Sequence, residues 1–294
     1  MHRVPRDPSF TSILFTPALR VDRFETALRS GAAVTLADLE DSVSESKKEE
    51  ARSLAGTCLS LRRPKTARVA VRVNALDSSV GLADMDAVLG AASPPDLILI
   101  PKVESAQMIV SAERMIQKRG AKCRLLALVE TVEGVHRVEE IARSCASLTG
   151  LVFGSADYTR DMGGEISWDS LLYPRSRIVS AAKLCGIQAI DTPYFDIEDA
   201  VGLADETRRV KGMGFTGRCV IHPSQIDTVE SSFSTAEDAL DRAKRIVEAA
   251  EAAGGGICRV DGAMVGTPII ERAMTLLKNA EVNARIRGER SCQE

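Results

Sequence analysis

Short runs of Val, Ile and Leu recur along the chain, each followed by a longer stretch whose apolar residues return every three or four positions. Strand-length runs alternating with helical spacing are the pattern of repeated βα units around a parallel sheet. Eight runs can be placed: Ser12 to Thr16, Val34 to Leu39, Arg68 to Val73, Asp96 to Pro101, Arg124 to Val129, Leu148 to Gly154, Gly186 to Asp191, and Gly217 to Ile221. Most are continuously apolar, which predicts parallel strands covered on both faces. Eight such strands in roughly 210 residues fit a (β/α)8 TIM barrel, whose usual length is about 250. A doubly wound dinucleotide-binding sheet would need a glycine fingerprint that this chain lacks.

The pattern continues past the eighth run. Ser234-Thr235-Ala236-Glu237 reads as a capping box, after which Leu240, Ala243, Val247 and Ala250 form one apolar helical stripe ending at Gly254-Gly255-Gly256. Thr267 and Pro268 then open a last helix with Ile270, Ala273 and Leu277 on one side. We expect a barrel domain over 1–232 and a C-terminal helical extension over 233–294. A helix left over after barrel closure is expected to pack on a neighbouring subunit.

Composition narrows the class. Of 294 residues, 45% are hydrophobic and 27% charged, with 38 basic against 41 acidic side chains, so no basic excess points to nucleic acid. The seven cysteines are scattered without a Cys-x-x-Cys pair, as expected of buried thiols in a reducing compartment. The start, Met1 to Asp7, has no apolar core of a signal peptide, and no run approaches the roughly 18 apolar residues of a membrane span. The expectation is a soluble cytoplasmic protein with neither nucleic-acid nor membrane partners.

In such barrels the chemistry sits at the carboxyl ends of the strands. Those ends deliver Asp38, Glu40 and Asp41, then Arg72 and Asn74, Lys102 and Glu104, Glu130 and Thr131, Asp157, Asp191, and His222. Carboxylates converging on one mouth repel unless a cation sits among them. Glu130 and Asp157, at the ends of adjacent strands, are the best metal pair, and oxygen ligands completed by water and substrate suit Mg²⁺; the plainer reading is that both cap the following helices. Arg72 ends an apolar strand and needs a carboxylate partner, either Asp38, Glu40 or a substrate. His222 before Pro223 reads as a helix-entry hydrogen bond, and His136 as a surface residue. Lys47 and Lys48 form a solvated face or meet phosphates at the mouth.

In order along the chain, Ser12-Ile13-Leu14-Phe15-Thr16-Pro17, Ala37-Asp38-Leu39-Glu40-Asp41-Ser42-Val43, Arg72-Val73-Asn74, Pro101-Lys102-Val103-Glu104-Ser105, Glu130-Thr131, Phe153-Gly154 with Asp157, and Ile221-His222-Pro223-Ser224-Gln225 resemble the citrate lyase beta-subunit family. That family includes malyl-CoA and citramalyl-CoA lyases within the hydroxy-oxo-diacid aldolase superfamily, and the likeness covers nearly the whole chain. The resemblance implies a Mg²⁺-dependent barrel with Glu130 and Asp157 on the metal and Arg72 on the oxygen of the carbonyl fragment. It implies a CoA-thioester substrate bordered by Arg72, Glu130, Thr131, Lys47 and Arg20, and a homotrimer or hexamer. The reaction it implies cleaves a 3-hydroxy-dicarboxyl-CoA, of citramalyl-CoA or malyl-CoA type, into an acyl-CoA and a 2-oxo acid.

The chain departs from the family where Ala263 replaces the usual Lys, Gly266 the usual Asp, and Ala18 and Leu19 the usual glycine and acidic residue; Arg20 and Arg23 keep their places. Without a carboxylate at 266, the expected proton acceptor is a strand-two carboxylate, Asp38 or Glu40, or bound water. Two other functions remain open from sequence: a CoA-independent aldolase of free hydroxy-oxo acids, disfavoured by Asp41 where that branch carries His, and a non-catalytic acyl-CoA-binding relative.

Overall fold

The computed structural model describes residues 9–64, 67–234, 237–254 and 256–291. The first seven residues, Thr235 and Ala236 of the expected capping box, and Gly255 lie outside them. Eight parallel strands, β1 (Ser12–Pro17), β2 (Val34–Asp38), β3 (Arg68–Arg72), β4 (Leu97–Ile100), β5 (Arg124–Val129), β6 (Leu148–Phe153), β7 (Gln188–Asp191) and β8 (Gly217–Val220), close in chain order into a barrel. The TIM-barrel expectation holds. Among the described residues, no helix is long and apolar enough to cross a membrane.

The continuous apolar runs are explained by burial on both faces. Side chains of period two fill the barrel interior, among them Ile13, Leu36, Ala70, Leu99, Leu126 and Ile190. Their neighbours Val71, Ile98, Ala127, Val129 and Leu151 point outward, into one core with Phe24, Met85, Ile109 and Ile178 from the surrounding helices. Helices Ala106–Arg119 and Trp168–Cys185 stop at Gly120 and Gly186, both at positive φ, which glycine adopts without a Cβ clash.

The chain divides into two compact units, Met1–Phe233 and Ser234–Glu294. The second contains helices Glu237–Ala252 and Thr267–Ser291, and between them an antiparallel hairpin of β9 (Cys258–Val260) and β10 (Ala263–Val265). The two helices are those expected of the C-terminal extension, and the hairpin between them is an addition that the sequence reading did not place. Three-residue strands around Asp261-Gly262 carry too little periodicity to be read from sequence.

Asp191 also departs from expectation. It closes β7 but shares the outward parity of Ala189, so it turns away from the mouth and into the wall of helices. There it accepts a two-pronged bond from Arg175 (Nε–Oδ1 and Nη2–Oδ2, both 3.0 Å) and a third from Arg218 (2.7 Å). Glu206 accepts from both arginines as well. Arg175, Arg218 and Asp191 are fully buried. Two cations against two carboxylates close this network electrically, and such a network is costly to break because the remaining charge is stranded. We predict that Asp191→Asn lowers unfolding free energy by about 3–5 kcal/mol, measured by urea denaturation; a loss within experimental error would show that the arginines find other partners.

Candidate active site

Strand register assembles the mouth. Asp38 and Arg72 are directly paired across β2 and β3, and both share the inward parity of Leu36 and Ala70. Side by side at the top of the interior, they form a fork: Arg72 Nε donates to Asp38 Oδ1 at 2.6 Å and Nη2 to Oδ2 at 2.7 Å. The same two oxygens accept from the backbone N–H groups of Glu40 (3.0 Å) and Ser42 (3.2 Å). Asp38 is therefore saturated. Burial pushes its carboxyl up, but the Arg72 charge and these hydrogen bonds bring it below the ordinary carboxylate range. Of the partners left open for Arg72, Asp38 is the main one, and the Phe15 ring lies 5.2 Å from the guanidinium carbon.

Glu40 follows in the turn after β2. Its Oε1 accepts from Lys102 Nζ at 2.6 Å, and Oε2 lies 2.8 Å from Arg72 Nη1 without an aligned hydrogen bond. Burial raises its pKa more than Arg72 and Lys102 lower it. Asp41, half-exposed, reaches Arg72 Nη1 at 3.3 Å. The turn itself is pinned from below: Lys48 Nζ donates to the carbonyls of Leu39 (2.9 Å) and Glu40 (2.7 Å), and Asn74 Nδ2 donates to Leu39 (2.9 Å).

Glu130 continues the inward row Leu126, Leu128 of β5 and is 2% exposed. Gly154 makes its position available, since a Cβ there would come within 2.6 Å of Glu130 Cβ and Oε2. Asp157 stands in the first turn of helix Ser155–Met162, immediately after Gly154, and is held by Arg160 at 2.6 Å. Burial, then the Glu40 charge, raise the Glu130 pKa to about 8, Arg72 and the Lys102 N–H opposing and Asp157 adding. Asp157 lies close enough to raise the proton affinity of Glu130, and neighbouring carboxylates are oxygen donors of the kind that suits a divalent cation. Among the described residues no group of three or more His, Cys, Asp or Glu is arranged to hold a metal ion.

The remaining candidates make local contacts. The Thr131 hydroxyl caps its helix by accepting from Gly134 N–H at 3.0 Å. Arg20 is exposed and paired with Asp22 at 2.6 Å, and Lys47 is exposed near Glu50. His222 Nδ1 accepts from Ser224 N–H, the expected helix-entry contact, and His136 is exposed. Lys102, one of the charged residues at the strand ends, had no role from sequence, and neither had Gly154. The Pro101-Lys102 step after an apolar strand marked the place, but the two contacts Lys102 makes depend on its backbone angle.

The family model described as HpcH/HpaI aldolase/citrate lyase matches residues 11–223, and one described as a C–C bond lyase of the TIM-barrel fold matches residues 168–283. The chain belongs to the HpcH/HpaI aldolase/citrate lyase family. It is accordingly an enzyme of the carbon–carbon lyase class. It is 35% identical over 284 residues to the citrate lyase subunit beta of Escherichia coli K12, covering 92% of this chain and 93% of that one. It is 31% identical to the mitochondrial citramalyl-CoA lyase of Rattus norvegicus, over 82% of this chain and 77% of that one. Among solved structures, CitE of Mycobacterium tuberculosis in complex with magnesium, acetoacetate and coenzyme A superimposes with a TM-score of 0.80 at 31% identity, covering 93% of this chain and 98% of that one.

The raised Glu130 pKa has a signed consequence. Between about 4.5, the ordinary glutamate value, and about 8, the folded protein keeps a proton that the unfolded chain has released. Stability in divalent-free buffer therefore falls as pH rises through that window, and Glu130→Gln should flatten the slope. Urea midpoints measured from pH 5 to pH 8 check this; parallel profiles for the two proteins would exclude it.

Proposed function

We propose that this enzyme is a magnesium-dependent lyase cleaving a short 3-hydroxy-dicarboxyl-CoA thioester, of citramalyl-CoA or malyl-CoA type, to an acyl-CoA and a 2-oxo acid. The observation that carries the reading is the buried Arg72–Asp38 fork placed at the same mouth as the Glu130 and Asp157 carboxylates. The rat relative named for citramalyl-CoA and the CitE complex with magnesium and coenzyme A support it.

Glu130 and Asp157 would hold the metal, which when bound supplies Lewis acidity toward the substrate hydroxyl and carboxylate oxygens. Arg72 keeps N–H donors on Nη1 and Nη2 beyond those taken by Asp38. Those donors face charge that develops on the oxygen of the forming 2-oxo acid. Asp38, saturated by four hydrogen bonds, orients that guanidinium and is a poor proton acceptor. Glu40 remains as the acceptor of the hydroxyl proton: it is buried, its proton affinity is raised, and its Oε2 has no aligned donor. As the C–O bond becomes a carbonyl, the electrons of the C–C bond leave with the thioester fragment as an enolate, and the proton taken up by Glu40, returned directly or through water, converts that enolate to the acyl-CoA.

Gly266 stands between β10 and helix Thr267–Ser291, where its carbonyl accepts from Ile269 and Ile270. It offers no carboxylate, so the proton that the acyl carbon takes up on cleavage comes from another group. In the C-terminal unit Ile257 and Met264 are about 70% exposed, and we infer that this unit packs on neighbouring subunits of a homotrimer or hexamer.

Two measurements test the assignment. Glu130→Gln and Asp157→Asn should each lower kcat by about a hundredfold or more with the far-ultraviolet spectrum unchanged, and chelation should abolish turnover of the wild type until magnesium is restored. Undiminished turnover of either variant would leave both residues as helix-end groups. Arg72→Lys should lose about a hundredfold in kcat, because a point ammonium cannot reproduce the two-pronged geometry; near-normal kinetics would mean that charge alone suffices.

A further inference from the structure

Lys102 follows β4 at φ +50°, in the left-handed region that residues with a side chain rarely adopt. Glycine takes that conformation freely, so a lysine here is kept against a backbone cost. Two contacts account for it. The turn aims the main-chain N–H at Glu130 Oε1, 2.9 Å away, and carries Nζ to Glu40 Oε1 at 2.6 Å. The second is the only aligned hydrogen bond that the Glu40 carboxylate receives among the described residues, since its other oxygen has none. One residue thus joins a carboxylate from the turn after β2 to one at the end of β5, and places a positive charge between them.

We propose that Lys102 is a positioning residue of this site, its left-handed main chain fixing Glu130 and its ammonium fixing Glu40 beside it. The Glu40 part rests on the lyase reading above; the Glu130 part and the placement of charge do not. A fixed ammonium next to two carboxylates also has an electrostatic effect that a purely structural lysine lacks. It opposes any divalent cation bound at Glu130, so its removal should tighten metal binding while it slows turnover.

Lys102→Gly keeps the backbone conformation and deletes the ammonium, whereas Lys102→Arg keeps the charge. In the full-length Lys102→Gly protein, relief of the left-handed backbone cost and loss of the Glu40 ion pair act on stability in opposite directions, so correct folding is checked by an unchanged far-ultraviolet spectrum. Mn²⁺ titrated calorimetrically without substrate should bind about threefold tighter or more. kcat should fall about thirtyfold with KM within about threefold, and Lys102→Arg should recover most of the loss. Weaker or unchanged Mn²⁺ binding in Lys102→Gly overturns the proposal. Unchanged kcat in Lys102→Gly, with an active wild type, overturns the role assigned to its ammonium at Glu40. A wild type that cleaves no CoA thioester overturns the lyase reading instead, and the Mn²⁺ comparison still decides the placement of charge.

Discussion

The buried fork between Asp38 and Arg72 is the constraint on which the mouth of this barrel depends. Neither group can be withdrawn from water alone, because an unpaired guanidinium or carboxylate at that depth would cost more than the strand pairing returns. Direct register between β2 and β3 sets them side by side, and the turn after β2 wraps its own N–H groups onto Asp38. Because Asp38 spends its lone pairs in this way, the direction of Arg72 is fixed, and the neighbouring Glu40 is left as the carboxylate with proton affinity to spare.

Comparison with the other buried arginine network separates a charge-balanced ion cluster from one with excess negative charge. Arg175 and Arg218 face Asp191 and Glu206, so charges balance and every carboxylate is claimed. At the mouth, three buried carboxylates, Asp38, Glu40 and Glu130, face two cations, Arg72 and Lys102. The excess negative charge has two outlets: a proton on Glu130, whose pKa burial raises first and the Glu40 charge further, or, in the function proposed above, a divalent cation shared with Asp157. Both networks would look alike in a census of charged residues. What separates them is the strand parity that turns Asp191 outward while Asp38, Arg72 and Glu130 turn inward.

Glycine and backbone angle provide the remaining precision. Gly154 leaves the space that the Glu130 carboxylate occupies, and the left-handed turn at Lys102 brings an N–H group to the same carboxylate. Each acts through an absence or an angle, and neither adds charge to the site. They hold Glu130 between two strands without placing a countercharge on it.

The sequence by itself determined the barrel, because eight continuously apolar runs separated by helical spacing admit few closed arrangements, and it marked Arg72, Asp38, Glu40, Glu130 and Asp157 as residues that end those runs. It also identified the His222 turn, since Pro223 and Ser224 signal it locally. Tertiary structure decided the rest. Which carboxylate locks Arg72 and which keeps a raised proton affinity follows from strand register and lone-pair saturation, quantities set between segments more than thirty residues apart. The outward turn of Asp191 depends on where β7 begins, and a shift of one residue would reverse it. Lys48 in place of Lys47 on the Glu40 turn, the reach of Lys102, and the β9–β10 hairpin depend on backbone angles and spacings of a few residues, for which composition and periodicity carry no signal.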